Sequence, residues 1–374
     1  MRYAAFALLI GLVLLGATSV WPQDQPTPAI LTAPAFDFES DSALAAWWAN
    51  DGQAKLALTH DKANVAHGLG ALEITYTPRE GAYCLFGARN LAPTPARSLR
   101  CRLKTDLPTP LVIAVQEQDK SSYHAFVCTP ANQWTEVALD LSELGLTEDT
   151  QDENNKLDPE QIVSLTIADL SNLPGEVGRA LGHKLGEQHL WLDDVALSPD
   201  PAPLRSTVRG KTRCVDGFEH PSIAVLPIGP VKLGFQPGAP APRSRGSLRI
   251  AYRLGGHRWA GIVSLCGHVN LAGCTHFSCF LRSSHEGAGF AVLEERDGSK
   301  YQHALTLDGS GKWEQLRLPL SEFALDPQTK DENNRLDLDQ LRIIALIVDT
   351  FNATVGEDGE ATLDLDDLAL SEEE

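Results

Sequence analysis

The chain has little with which to hold nucleic acid. Only 31 of its 374 residues are Lys or Arg, against 50 Asp or Glu, and the formal net charge is −19. A balance that acidic repels phosphate backbones and anionic membrane surfaces. Aromatic residues make up 7% of the sequence, and the one methionine is Met1. Sustained helical periodicity is missing, apart from a turn near Pro159 to Ile162. No apolar run reaches the roughly 20 residues that a membrane-spanning helix needs. Catalytic signatures are missing too: there is no G-x-S-x-G elbow, no H-E-x-x-H and no phosphate-cradling Gly loop. The reading is therefore of a protein that is not an enzyme. The enzymatic alternative is a glycoside hydrolase with an unrecognised carboxylate pair, because acidic residues are everywhere.

What is present is a duplication. The run QWTEVALDLSEL around Trp134 returns as KWEQLRLPLSEF around Trp313. DENNKLD (152–158) returns as DENNRLD (331–337), and LDDVALS (192–198) as LDDLALS (365–371). The period is too long for a solenoid, and each copy is large enough to bury a core of its own. Residues 1–19 read as a secretory signal, with Arg2 as the basic region, Ala4–Gly16 as the apolar region and Ala17–Ser19 as the cleavage site. An uncleaved anchor is the alternative. The remaining boundaries are a Pro-rich tether at 20–35, a first domain at 36–198, a linker at 199–213 and a second domain at 214–374. A signal of this kind predicts a secreted or periplasmic protein with no stable membrane insertion.

Seven cysteines, Cys84, Cys101, Cys128, Cys214, Cys266, Cys274 and Cys279, leave at least one thiol unpaired in an oxidising compartment. Cys101 and Cys279 occupy the same place in the two copies, which predicts a buried strand position. Cys266 and Cys274 are candidates for a hairpin disulfide, and with His268 and His276 for a zinc site, although the spacing matches no zinc module.

Within each copy the pattern is β. ALEITYT (71–77) and SLRIAYRL (247–254) alternate; LVIAVQEQD (111–119) and GFAVLEERD (289–297) are short apolar runs ending in charge. Gly, Pro, Asn and Asp clusters separate them. The fold class is all-β, two tandem jelly-roll β-sandwiches.

The order of landmarks carries a resemblance. Each copy has a Phe-Glu start, a strand ending E-x-D before a Tyr, a W-x-x-V-x-L-x-L-type strand, an Asp/Asn turn and a closing L-D-D strand. This resembles the galactose-binding-like jelly rolls, especially non-catalytic carbohydrate-binding modules and the intermediate-associated-protein-30-type domain. The resemblance implies binding of a polysaccharide or glycoconjugate. A structural or adhesive module that binds protein is the main alternative.

The resemblance also implies sites. A structural calcium would join an acidic residue near the first strand to an Asp of the last strand: Asp37 and Glu39 with Asp194, and Glu219 with Asp367. The competing account of Asp193-Asp194 and Asp366-Asp367 is a charged strand edge. The DENN loops fail as calcium loops, because Lys156 and Arg335 occupy ligand positions; an Asx turn fits them better. Sugar contact is implied for Tyr83, Arg89, Glu117, Asp119 and Tyr123 in the first copy. In the second it is implied for Arg258, Trp259, Glu294, Asp297 and Tyr301. A rigid ring can stack on the apolar face of a pyranose while charged groups bond its hydroxyls. Trp134 and Trp313 open alternating strands and are expected in the core.

Overall fold

The computed structural model describes residues 35–372, except 51–53, 80–83, 148–149, 174–180, 182–183, 185, 221–223, 239, 241–243, 256 and 352–358. The signal, most of the tether and Tyr83 lie outside the described residues. The chain divides into two compact units.

The first unit is a β-sandwich of two antiparallel sheets. Sheet I runs in the order Lys55–Thr59, Ala71–Tyr76, Gln188–Ser198, Ser98–Thr105, Thr135–Asp140, with Ala35–Phe36 added to the closing strand. Sheet II runs in the order Gly145–Leu146, Ser122–Thr129, Thr109–Glu117, Ile162–Asp169, Cys84–Arg89, Trp47–Ala49. Period-2 alternation sends Leu72, Ile74, Leu190 and Leu192 inward from sheet I, and Phe86, Ile113, Val115 and Ile167 inward from sheet II. All are essentially inaccessible, and each such side chain contributes about 1.5–3 kcal/mol. Cys101 is buried among them, as its shared position predicted.

The second unit repeats this plan. Its sheet I places the closing strand Glu360–Ser371 among Thr212–Asp216, Gly246–Arg253 and His276–Ser283, with Glu314–Pro319 at the edge. Its sheet II runs Val225–Ile228, Trp259–Leu265, Leu341–Asp349, Glu286–Glu295, Lys300–Asp308, Ala324–Leu325. The backbone specials repeat as well. Phe38 and Phe218 have φ of 54° and 48°; Asp194 and Asp367, in the closing strands, have φ of 50° and 46°. The register of the first closing strand shifts between Asp193 and Ala196. A bulge of this kind re-aims the side chains on either side of it.

Two expectations need correction here. The segment 199–213, read as a linker from its Pro-rich start, contains the strand Thr207–Arg209, which pairs with Thr212–Asp216 in the second sandwich. All seven cysteines are free, so Cys266 and Cys274 form no disulfide. Both are buried apolar packing residues of the second core.

Candidate functional site

Sheet pairing brings one row of outward side chains across sheet II of the first domain. Trp48 lies opposite Gly87, Gly87 opposite Thr166, Thr166 opposite Ala114, and Ala114 opposite His124. Three small residues therefore lie between two rings. A parallel row carries Arg89, Ser164, Gln116 and Ser122. The Arg89 guanidinium stacks 4.3 Å from the Trp48 ring centre, a cation–π contact that orients both groups. On the far side His124 packs edge-on to Phe126 at 5.7 Å. Trp48, Arg89, Thr166, Ala114 and Gln116 are half-buried. The result is a trough in which an indole, a guanidinium, a hydroxyl and an amide are partly open, closed at its far end by the buried His124, with Ser164 also buried.

Gly87 is required by its own sheet. A Cβ there would lie 2.1 Å from the Leu165 carbonyl oxygen. No side chain can therefore rise at the position next to Trp48 in the row.

In the second domain the equivalent face is filled. The row there is Ile228, Gly261, Ile347, Phe290 and Ala304. Trp259, on the same face, packs edge-on to Phe290 at 5.9 Å and carries Arg258 at 4.8 Å. Branched and aromatic side chains occupy the space that Thr166 and Ala114 leave open in the first copy.

Most of the other sugar contacts implied by resemblance are relocated. Tyr123 and Tyr301 are core residues whose hydroxyls donate to Asp152 and Asp331. Burial, followed by that hydrogen bond, pushes both phenols well above their usual range. Glu117 is buried and accepts from Ser121 Oγ and the Asp158 amide; Glu295 does the same with Ser299 and Asp337. Asp119 and Asp297 each accept from the amide and hydroxyl of the same Ser121 and Ser299. These groups tie the DENN loops to the sheet. Asp152 takes the Asn154 and Lys156 amides at 3.1 Å, an Asx turn as expected. Glu294 was matched to the wrong side of its strand. Its neighbour Glu295 is the counterpart of Glu117, and Glu294 lies on the opposite face, buried against Lys300 and Arg342.

Trp134 and Trp313 are half-buried and belong to neither core. Val137 and Leu139 point inward, so Trp134, an odd number of residues before both, falls on the outer face. Of the two early tryptophans, Trp47 is core and Trp48 is not.

The calcium set does not assemble as a ligand cage. Glu39 Oε1 accepts the Leu69 amide at 2.8 Å, and Asp37 Oδ1 accepts the Glu39 amide at 3.2 Å. Asp194 turns to Arg102 at 3.3 Å and His67 at 3.6 Å. Glu219 accepts the Arg245 amide at 2.7 Å, while Asp367 meets the Arg209 guanidinium at 3.1 Å. N–H donors thus engage one oxygen each of Asp37, Glu39 and Glu219, and cationic side chains face both oxygens of Asp194 and Asp367. No three of these ligand atoms lie within 4.8 Å of one another among the described residues, so the set does not fit calcium as arranged. Among the described residues, the one group of three such ligand atoms within 4.8 Å is Glu295, Asp297 and Asp331. Those oxygens already serve the loop described above. No zinc group forms around Cys266 and Cys274 among the described residues. A cleft of the second domain between Phe218, Phe235 and Arg205 is too small to admit a sugar ring.

No family model and no curated protein matches this chain. Solved structures similar to it include the family 11 carbohydrate-binding module of the cellulosomal cellulase Lic26A-Cel5E of Clostridium thermocellum. That match has 16% identity and a TM-score of 0.33, covering 45% of this chain and 97% of that one. The tandem CBM22-1–CBM22-2 domain of Paenibacillus barcinonensis Xyn10C is similar over 94% of this chain and 99% of that one, at 13% identity and a TM-score of 0.29. An exo-β-agarase matches at 12% identity and a TM-score of 0.35, covering 46% of this chain and 25% of that chain.

Proposed function

We propose that the chain is a non-catalytic glycan-binding protein, acting outside the cytoplasm, whose first domain binds a sugar chain along the Trp48–His124 row. The observation that carries this reading is the partly open part of the row: the Trp48 ring with Arg89 stacked on it, Gly87, Thr166 and Ala114 beyond it, and Gln116 alongside. A pyranose offers an apolar C–H face to an indole and hydroxyls to guanidinium and amide groups. The trough runs across several strands, which suits an extended oligosaccharide. Nothing in the row pairs two carboxylates across a gap, the arrangement that glycoside hydrolysis needs.

The test is calorimetric titration of the purified protein with soluble β-glucans, xylans, mannans and galactans, beside a Trp48→Ala variant. Heat with one polysaccharide class, lost in the variant while its unfolding midpoint is kept, supports the reading. A flat response across the panel from folded protein would overturn it in favour of a structural or protein-binding module.

A further inference from the structure

The outer face of sheet I in the second domain carries a different chemistry. Pairing lines up Gly234, Arg249, Asp364, Arg282 and Trp313 in one row, Trp313 standing one residue before the edge strand Glu314–Pro319. Asp364 is buried, and both guanidinium groups close on it. Arg249 donates through Nε at 2.7 Å and Nη2 at 3.0 Å; Arg282 donates through Nε at 2.8 Å and Nη2 at 2.6 Å. One carboxylate thus holds two cations, and Nη1 of each is left for another acceptor. Each arginine side chain remains about a third exposed, 35% and 32%. Arg282 also lies 4.8 Å from the Trp313 ring centre.

The face is cationic beyond this row. Lys232, Arg253 and Arg317 share its parity and are exposed; against the five cations stand Glu360 and the buried Asp364 and Asp366. That excess is notable in a chain of net charge −19. Asp308 and Glu314 are the acidic groups near Trp313 on the edge side, with Lys312 between them in sequence. From Trp313 to Arg317 the strip follows the edge strand for about 13 Å at the strand's rise per residue. Phe280 and Gln315 lie within it. In the first domain the same row reads Ala57, Glu73, Trp191, Lys104, and there Lys104 is turned away to the Ala63 carbonyl and Asn64. The cationic ledge is therefore particular to the second copy.

We infer that this ledge is a second binding site, for an acidic polysaccharide whose carboxylate or sulfate groups are taken by Arg249, Arg282 and Arg317 and whose ring rests beside Trp313. Planar guanidinium groups match carboxylate and sulfate in two-point geometry, and Asp364 holds two of them in place before the ligand arrives. Asp364 is a positioning residue. The site rests on the general glycan-binding reading but not on the trough of the first domain.

The test uses the full chain and three probes: polygalacturonate, dextran sulfate and a neutral mixed-linkage β-glucan. Titrations are run at low and at physiological ionic strength, for the parent and for Trp313→Ala, Arg317→Ala and Trp48→Ala. A paired Arg282→Met, Asp364→Leu variant removes a charge pair together and guards against loss of folding. The expected result is binding to one polyanion that weakens with salt. It falls at least about tenfold in Trp313→Ala and Arg317→Ala and is unchanged in Trp48→Ala. Preference for polygalacturonate or dextran sulfate assigns the anion. No polyanion binding by folded protein at low salt, or binding that the ledge variants leave intact, would overturn the inference. Loss of β-glucan binding in Trp48→Ala reports on the first domain separately.

Discussion

Tyr123 sends its ring into the core of the first domain and donates its hydroxyl to Asp152, on the DENN loop. Tyr301 and Asp331 repeat the pair in the second domain. The duplicated motif is thus a loop fastener. Tyr123→Phe and Tyr301→Phe should each lower the unfolding midpoint by a few degrees and leave glycan affinity unchanged. Thermal unfolding and calorimetry on the same samples check both halves; a loss of affinity without a loss of stability would return the tyrosines to the ligand site.

The same loops should open in acid. The Tyr hydroxyl, then the loop amides, hold Asp152 and Asp331 below the usual carboxylate range. A carboxylate depressed in the folded state stabilises above its unfolded value of 3.8 and loses that contribution as pH falls through the folded value. Burial raises Glu117 and Glu295, which gives the opposite slope at somewhat higher pH. Denaturant midpoints followed below pH 4 should therefore fall less steeply in an Asp152→Asn, Asp331→Asn variant than in the parent. Equal slopes would show that the fastener is not electrostatic.

Filling the trough should abolish binding without harming the fold. Ala114→Leu or Thr166→Leu places a branched side chain on the half-exposed outer row, as Ile347 does in the second copy. Affinity for the recognised glycan should drop at least about tenfold with the melting temperature nearly unchanged. Retained affinity would place the ligand elsewhere.

Gly87→Ala should instead cost stability, on the order of 2–4 kcal/mol, since its Cβ would press on the Leu165 carbonyl and the strands would have to part. Urea unfolding measures this directly. A midpoint equal to the parent would mean that the sheet shifts freely there.

Chelation should have little effect. A backbone amide contacts each of Glu39 and Glu219, and an arginine each of Asp194 and Asp367. Melting with EDTA and with added calcium should agree within about 2 °C, the shift of less than 1 kcal/mol in domains this size. A rise of many degrees with calcium would show that these side chains rearrange around an ion.

Much of the architecture was legible because it follows from periodicity. ALEITYT and SLRIAYRL alternate, and their Leu, Ile and Tyr residues enter the two cores. Parity also excludes Trp134 from the core, yet its place at the head of an alternating run invited the opposite assignment. Glu295 was legible too: it stands two residues before Asp297 as Glu117 does before Asp119, so the shared E-x-D spacing pairs it with Glu117 and leaves Glu294 on the other face with Lys300 and Arg342.

By itself the sequence determined the duplication, the β class, the acidic balance and the Asx turns, because each is local or additive along the chain. Only the tertiary structure decided which residues share a face. Trp48 and His124 become ends of one row through four strand pairings, and Asp364 gathers Arg249 and Arg282 from two neighbouring strands. Register fixes such rows by non-local hydrogen bonds, and a slip of one residue would turn every member to the other side.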